Sequence, residues 1–180
     1  MKVLFMKELL EDLKKRFGIF DLVHQRPDEV FATVKKEDAV ALITHLRDHK
    51  GFKHLVLMTA VDWLEDGKFQ LTYLLNNYEL KVDLGIRVML DRETASMEPI
   101  DHLWKQAVTY QRELKEMFGI DFPNATRIDE PFILEGWQDI PPYRRDFDTK
   151  KYSEETYFQR PGRETHDPAE YMKKKLYPEE

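Results

Sequence analysis

Residues 80–90 read LKVDLGIRVML, and this stretch carries the clearest β-strand pattern in the chain. Apolar side chains alternate with polar or small ones, and a period of two places the apolar ones on a single face of a strand. The opposite face carries charged residues, so we predict a sheet with one buried face and one wet face. The apolar set comprises Leu80, Val82, Leu84, Ile86, Val88 and Leu90, and the charged set comprises Lys81, Asp83 and Arg87.

Two further strands are predicted immediately upstream. Residues 53–61 are nearly all apolar, which indicates a central strand of the sheet. Residues 68–75 alternate between apolar and polar side chains. Turn-forming residues separate the three stretches, at Glu65-Asp66-Gly67 and at Asn76-Asn77. These stretches are therefore predicted to form two successive hairpins.

Three amphipathic helices complete the pattern. In each, apolar side chains recur at steps of three and four, which aligns them along one stripe of a helix. Gly18 and Gly51 are placed to end the first two helices, and Asp101 can cap the start of the third. The order αββαβββα without a βαβ repeat predicts an α+β fold, with a mixed or antiparallel sheet and helices packed on one side. The helices are predicted at residues 2–16, 36–49 and 101–118, and two short strands at 20–25 and 29–34 around Arg26-Pro27-Asp28.

Proline divides the chain into two parts. Residues 1–122 contain two of the nine prolines and residues 123–180 contain the other seven. Proline fixes φ and has no N–H to donate, so long regular elements are not expected in the second part. We predict an α+β domain, residues 1–122, and an extended proline-rich C-terminal strap, residues 123–180, that binds a partner surface. Its spaced aromatic residues favour this interpretation over a floppy tail; they include Tyr152, Tyr157, Phe158, Tyr171 and Tyr177.

Composition excludes several classes of protein. The chain has no cysteine, which excludes a disulfide framework, cysteine-bound iron–sulfur clusters and thiol nucleophiles. The formal net charge of −6 argues against nucleic-acid binding. No apolar stretch approaches the ~18 residues of a membrane span. The first ten residues include Lys7 and Glu8, which is unlike a signal peptide. These features are typical of a soluble cytoplasmic protein or of a soluble subunit.

Residue patterns alone assemble no active site. His45 and His49 lie four apart on a predicted helix, but no carboxylate completes a metal-binding motif beside them. The glycines never cluster into a phosphate-binding loop. Asp62 lies at a predicted strand end beside Glu65, where a carboxylate could act as an acid or base. A free-standing α+β enzyme that uses Asp62, Glu65 or a histidine therefore stays an alternative, as does a soluble module whose tail folds on one partner.

Three segments resemble the 30 kDa subunit of respiratory complex I, also called the C subunit of NADH dehydrogenase. Residues 111–122 read QRELKEMFGIDF, residues 135–137 read EGW and residues 141–147 read PPYRRDF. Related subunits occur in archaeal membrane-bound NiFe hydrogenases and sulfane sulfur reductases. Residues 123–130, PNATRIDE, depart from the family pattern, and this departure favours the archaeal ferredoxin-linked complexes over NADH:quinone oxidoreductase.

The resemblance implies a non-catalytic structural subunit of the hydrophilic arm of a membrane-bound oxidoreductase. A protein of this kind has no cofactor, metal or active site of its own. It packs against a large catalytic subunit, which is of the 49 kDa or NiFe type, and near cluster-bearing small subunits. Iron–sulfur clusters and a NiFe-type centre belong to those partners. The implied location is the cytoplasmic face of the cell membrane, with membrane contact only through the complex.

The resemblance also implies a set of interface residues. Gly119 would end the last helix at a positive φ, and Pro141 and Pro142 would hold the chain extended. Arg144 and Arg145 would then project onto a neighbour and pair with its carboxylates. Arg112 and Glu113 would supply charged contacts, an internal ion pair or a solvated pair. The full set comprises Arg112, Glu113, Phe118, Gly119, Trp137, Pro141, Pro142, Tyr143, Arg144, Arg145, Asp146 and Phe147.

Overall fold

The computed structural model describes residues 2–157 of the chain. The chain divides into two compact units, Met1–Phe147 and Asp148–Glu180. Within the described residues, the first unit has the predicted order αββαβββα, and the α+β fold is confirmed. Its elements are α1 (Lys2–Phe17), β1 (Phe20–Arg26), β2 (Glu29–Thr33), α2 (Lys36–His49), β3 (His54–Trp63), β4 (Lys68–Asn77), β5 (Val82–Asp91) and α3 (Ala107–Phe118), with a short 3₁₀ helix at Leu64–Asp66.

The five strands form one mixed sheet in the order β1-β2-β5-β4-β3. Strands β3, β4 and β5 are successive antiparallel neighbours, and β1 pairs antiparallel with β2. Strand β2 runs parallel to β5, because α2 and two strands intervene between them in the chain. The parallel pair makes the sheet mixed.

One face of the sheet is apolar and is covered by the helices. The alternating residues of β5 pair in register with those of β4, so that Leu84 faces Leu75 and Ile86 faces Tyr73. These side chains join a core that includes Leu13 of α1 and Leu42 of α2. The predicted inward face of residues 80–90 is confirmed from Val82 onward, because Val82, Leu84, Ile86, Val88 and Leu90 are all buried.

Strand β3 lies at the edge of the sheet, so the prediction of a central position was wrong. Side chains that precede or begin α3 cover its outer edge, so an apolar strand is protected there. The indole N–H of Trp104 donates to the carbonyl oxygen of Lys53 at 2.7 Å, and the Tyr110 hydroxyl donates to that of Val56 at 3.0 Å. The Gln106 amide donates to the carbonyl of Leu55. An edge with its carbonyls occupied cannot template further strand pairing there.

Two local predictions were also wrong. The third helix begins at Ala107 rather than at Asp101, because the Asp101 carboxylate is bound elsewhere. It accepts hydrogen bonds from the backbone N–H of Thr126 at 3.0 Å and from the Thr126 hydroxyl at 2.5 Å, so it cannot cap a helix. Asn76 and Asn77 lie in β4 rather than in the turn, where they pair with Asp83 and Val82 of β5, and the Asn77 amide donates to the carbonyl of Lys50 at 3.0 Å.

The Tyr73 hydroxyl gives a stability prediction. Tyr73 is fully buried, and its hydroxyl has no hydrogen-bond partner among the described residues; burial also raises the pKa of this group. An unpaired buried hydroxyl costs about 1–3 kcal/mol of desolvation. Tyr73→Phe should therefore leave the free energy of unfolding unchanged or raise it, as measured by chemical denaturation of the full chain. Tyr110→Phe is the matched control and should lose about 1 kcal/mol, because it removes the bond to Val56. Equal losses in both variants would contradict the prediction.

The second unit begins with a short helix that was not predicted. Helix α4 spans Thr149–Thr156, and the Asp148 carboxylate caps it by accepting from the backbone N–H of Lys151 at 2.9 Å. An Asp before a stretch rich in Lys and Glu is a weak helix signal that the charged composition obscured. The rest of the predicted strap, residues 158–180 with Phe158, Tyr171 and Tyr177, lies outside the described residues.

Candidate partner interface

Residues 123–147 come after α3 in the chain and contain no helix or strand. We refer to them as the 123–147 loop. The predicted domain boundary lies before this loop, whereas the compact unit in the structure extends to Phe147. The extended form predicted for these residues is not confirmed, since the loop folds as successive turns. One such turn is closed by the Glu130 N–H, which donates to the carbonyl of Arg127 at 3.2 Å.

Two side chains of α3 hold the middle of the loop. The Glu116 carboxylate accepts three backbone N–H bonds, from Phe132 at 2.7 Å, Ile133 at 2.8 Å and Leu134 at 3.0 Å. Arg112 lies one helical turn earlier, and its guanidinium donates to the carbonyl of Glu130 at 3.1 Å and to that of Pro131. The spacing of four residues places both side chains on one face of the helix. Together, Arg112 and Glu116 bind the backbone carbonyls and N–H groups of residues 130–134 and hold this stretch against the helix.

Lys115 adds an electrostatic tether beside them. Its ammonium lies 2.9 Å from the Asp129 carboxylate and 3.0 Å from that of Asp121. The hydrogen bond to Asp129 raises the pKa of Lys115, and burial opposes this change only in part. Because Lys115 is one-third exposed, the two pairs contribute little to stability by themselves.

The last residues of the loop form two consecutive turns. The Arg144 N–H donates to the carbonyl of Pro141 at 3.0 Å, and the Phe147 N–H donates to that of Arg144 at 3.1 Å. The prediction that Pro141 and Pro142 hold the chain extended was wrong. Proline favours the second position of a turn as well as extended chain, and Pro142 occupies that second position here.

Arg144 binds to its own chain. Its Nε–H donates to the carbonyl of Phe118 at 2.6 Å, and its guanidinium carbon lies 5.4 Å from the centre of the Phe69 ring. The backbone N–H of Tyr143 donates to the carbonyl of Met117 at 3.0 Å, so both residues bind the end of α3. Gly119 ends this helix at φ +78°, which confirms its predicted left-handed conformation.

A buried carboxylate anchors the final turn. Asp62, at the end of β3, is only 4% exposed. Its oxygens accept from Arg92 Nε at 2.9 Å and Nη2 at 3.2 Å, and from the backbone N–H of Arg145 at 2.9 Å. Arg92 Nη2 also donates to Asp146 at 2.5 Å. Burial alone would raise the pKa of Asp62, but these hydrogen bonds outweigh it and hold the pKa below its usual value.

The Asp62 carboxylate is used to hold the chain together. Both of its oxygens are occupied by internal donors, so the candidate acid or base is fully hydrogen-bonded. Glu65, the other carboxylate considered, forms an exposed ion pair with Arg145 at 2.5 Å, and the hydrogen bond from Arg145 lowers the pKa of Glu65. The sequence interpretation missed Arg92 entirely, because an arginine just after a strand gives no signal of a partner 54 residues away.

Aromatic contacts complete the attachment of the loop. The Tyr143 ring meets the Phe118 ring edge-on at 5.7 Å, and Trp137 lies 5.6 Å from Phe147. The Trp137 indole N–H donates to the carbonyl of Ile140 at 3.1 Å. Ten of the predicted interface residues therefore make defined contacts within the chain: Arg112, Phe118, Gly119, Trp137, Pro141, Tyr143, Arg144, Arg145, Asp146 and Phe147.

Three large apolar side chains point outward from this loop, among exposed polar ones. Ile133 is 65% exposed, Tyr143 57% and Ile140 40%, although the backbone around each is hydrogen-bonded. Glu113 of α3 is half-exposed, and its side chain has no hydrogen bond or ion pair with the described residues. The contact of these residues with a partner stays a prediction.

His45 and His49 lie side by side on α2. The rings of His45 and His49 are 5.1 Å apart, and burial lowers the pKa of His45. Across residues 2–157, no three His, Asp or Glu side chains converge to hold a metal ion.

In the same range, no helix combines the length and apolar character needed to cross a membrane.

Comparison with known proteins identifies the family. Residues 32–153 match the family described as respiratory-chain NADH dehydrogenase, 30 kDa subunit. The C subunit of the NADH-quinone oxidoreductase of Citrifermentans bemidjiense is 32% identical over 148 residues, 81% of this chain and 91% of that protein. The C subunit of the F420H2 dehydrogenase of Methanosarcina mazei is 25% identical, and the match covers 71% of this chain and 82% of that protein.

Solved structures share the fold. A chain of the archaeal membrane-bound sulfane sulfur reductase superposes with a TM-score of 0.79 at 23% identity, over 90% of this chain and 98% of that one. A trypsin-resistant fragment of Nqo5 superposes with a TM-score of 0.61 at 19% identity, over 68% of this chain and 98% of the fragment. The chain thus belongs to the family of the 30 kDa subunit of the respiratory-chain NADH dehydrogenase, and its relatives are the C subunits of complex-I-related dehydrogenases.

Proposed function

We propose that this chain is a non-catalytic structural subunit of the hydrophilic arm of a complex-I-related membrane-bound oxidoreductase. In this role the 123–147 loop packs against the large catalytic subunit. One observation carries the proposal: the loop is fixed to the body by Arg112, Glu116, Arg144 and Asp62, yet it presents Ile133, Ile140 and Tyr143 to the outside. A loop fixed in this way loses little conformational entropy on docking.

The chemistry of the complex would then belong to the partners. Iron–sulfur clusters and a NiFe-type or related centre would lie in the large and small subunits, and the chain would reach the membrane only through them. The cytoplasmic face is the side on which such an arm would lie. Support comes from the family match and from relatives whose names make each of them a subunit of a larger enzyme.

Two sub-classes fit. We favour an archaeal ferredoxin-linked complex of the hydrogenase or sulfane sulfur reductase type, because residues 123–130 depart from the pattern of the NADH-linked subunits. In the structure this stretch belongs to the 123–147 loop, where a different neighbour would require a different sequence. The 32% identity with the C subunit of an NADH-quinone oxidoreductase favours the second candidate, NADH:quinone oxidoreductase itself.

A single purification tests the proposal and separates the sub-classes. The tagged chain is expressed in its own cells, membranes are solubilised, and the co-purifying subunits are identified by mass spectrometry. We expect a large NiFe-type subunit and cluster-bearing subunits, with ferredoxin as electron donor. Oxidation of NADH by the preparation would select the second candidate. Recovery of the chain alone would contradict the structural-subunit role.

Substitution of Ile133 tests the loop as the docking surface. Ile133→Ser removes an exposed apolar side chain while its backbone N–H still donates to Glu116. A central apolar contact contributes about 1–2 kcal/mol or more to an interface, so co-purification with the large subunit should fall about tenfold. Leu4→Ser on α1 is the matched control, since Leu4 is 61% exposed, and it should not change assembly. Equal recovery of both variants would show that Ile133 is not at the interface.

A further inference from the structure

The outer face of the sheet, opposite the helices, carries an apolar row. Strand register places Val23, Phe31, Gly85, Leu74 and Leu57 side by side across all five strands. None of these residues belongs to the hydrophobic core. The four side chains in the row, those of Val23, Phe31, Leu57 and Leu74, are nevertheless half-buried. These side chains therefore form an apolar strip on the outer face that is separate from the hydrophobic core.

A second group extends this strip toward one end of the sheet. Val61 of β3 pairs with Gln70 of β4, which in turn pairs with Met89 of β5. Val61 is 42% exposed and Met89 37% exposed. A row that crosses five strands at about 4.8 Å spacing covers a width of about 19 Å. That footprint is small for a whole protein interface and suits one segment of a partner.

Between the two rows lies one arginine. Arg87 is flanked in register by Thr33 and Thr72. Its guanidinium carbon lies 4.4 Å from the centre of the Phe31 ring. The ring lies across Gly85, where a Cβ atom would come within 2.1 Å of it, so the absence of a side chain at Gly85 makes room for the stack. The side chain of Arg87 is thus held in one place on the outer face.

Arg87 has no counter-ion within the described residues. It forms no ion pair there, and its Nε is buried without a hydrogen-bond acceptor. The carboxylates on the same face of β1 and β5 have other partners: Asp21 accepts from the Thr33 hydroxyl at 3.5 Å, Asp83 accepts from the Asn76 amide at 2.6 Å, and Asp91 accepts from the backbone N–H of Glu93 at 2.9 Å. A half-buried guanidinium with unsatisfied donors, set on an apolar surface, is complementary to a carboxylate among apolar groups.

We propose that the outer face of the sheet, centred on Arg87, binds an acidic segment of a neighbouring subunit through a carboxylate that pairs with Arg87. The apolar side chains of that segment cover Leu57, Leu74, Val61 and Met89. This surface is distinct from the 123–147 loop and rests on the proposed function, because the occupant belongs to the same complex. The stacked guanidinium is pre-organised, which favours two parallel hydrogen bonds to one carboxylate.

Charge reversal tests the surface. Arg87→Glu should lower recovery of the chain in the purified complex at least about tenfold, because it sets two carboxylates against each other. Arg47→Glu is the matched control, since Arg47 also lies over an aromatic ring, that of Trp104, and pairs with Asp48 on the helical side. The control should assemble normally. Normal assembly of Arg87→Glu would overturn the proposal while leaving the structural-subunit role intact; a wild-type chain that enters no complex would overturn both.

Arg87→Lys identifies the occupant even if Arg87→Glu misfolds. The lysine keeps the positive charge and can be coupled by a zero-length carbodiimide to a carboxylate in contact with it. In the assembled complex we expect a cross-link from position 87 to an Asp or Glu of another subunit. A cross-link to residues 148–180 of the same chain, a cross-link to a second copy, or no cross-link in a fully assembled complex would each overturn the proposal.

Discussion

Asp62→Asn is expected to lower the free energy of unfolding by about 3 kcal/mol, because it removes the charge from a buried ion pair. The variant leaves Arg92, whose side chain is 14% exposed, without the carboxylate that accepts hydrogen bonds from both its Nε and its Nη2. It also weakens the acceptor for the backbone N–H of Arg145, which lies 83 residues away in the chain. For a chain of this length the loss corresponds to a fall in melting temperature of roughly 6–12 °C.

Asp66→Asn serves as the matched control. Asp66 lies four residues away in the exposed 3₁₀ helix, so its replacement should change the free energy of unfolding by less than about 0.5 kcal/mol. Chemical denaturation of both variants and of the wild type at pH 7 measures the difference. A loss below about 1 kcal/mol for Asp62→Asn would show that this network is not an anchor.

The pH dependence of the same difference has a definite sign. The pKa of Asp62 lies below its usual value in the folded chain, so the unfolded chain binds the proton first as the pH falls. The contribution of the Asp62 charge is therefore fully present above the unfolded pKa of about 3.9 and is lost as the pH falls through the lower folded pKa. The gap between wild type and Asp62→Asn should stay constant from pH 7 to pH 5 and shrink below about pH 4. A gap that shrinks near pH 6 would contradict the direction of the shift.

The regular elements were predictable because their signals are local. The alternation in residues 80–90 and the stripes of α1 and α2 each depend on a few neighbouring side chains, and the structure retains them. The edge position of β3 was not predictable in this way. Its apolar sequence resembles that of a central strand. The strand can nevertheless lie at the edge, because Trp104, Gln106 and Tyr110 donate to carbonyls on its outer side from about 50 residues away.

The candidate interface was predictable only in part, for a related reason. Arg144 and Arg145 follow two prolines in the sequence, and arginines in such a setting suit a partner's carboxylate. In the structure, Arg144 instead donates to the backbone carbonyl of Phe118. A backbone carbonyl acceptor leaves no signature in the sequence. In our proposal the docking contact therefore belongs to apolar residues earlier in the loop. Ile133 and Ile140 gave no signal, because an exposed isoleucine is recognised only once burial is known.

Gly119 carries the second large effect, which depends on Arg144. Gly119→Ala should cost about 1–2 kcal/mol from its φ of +78° alone. The added Cβ would also lie 2.6 Å from Arg144 Nη2 and 3.4 Å from Pro141, so the guanidinium must leave the Phe118 carbonyl. Loss of a hydrogen bond from a charged donor adds about 1.5–3 kcal/mol. We therefore expect a total of about 3 kcal/mol or more, together with release of the last turn of the loop.

A double-mutant cycle separates the two contributions. In the Arg144→Ala background the clash is absent, so Gly119→Ala should cost only the φ contribution and the two substitutions should couple by about 1 kcal/mol or more. Gly18→Ala is the matched control, since Gly18 also follows a helix, at φ +61°, and nothing lies within 4 Å of the added Cβ. If Gly119→Ala cost no more than Gly18→Ala, Arg144 would be free to move aside. The arginine would then be available to a neighbour, as its sequence setting predicts, rather than committed to holding the loop on α3.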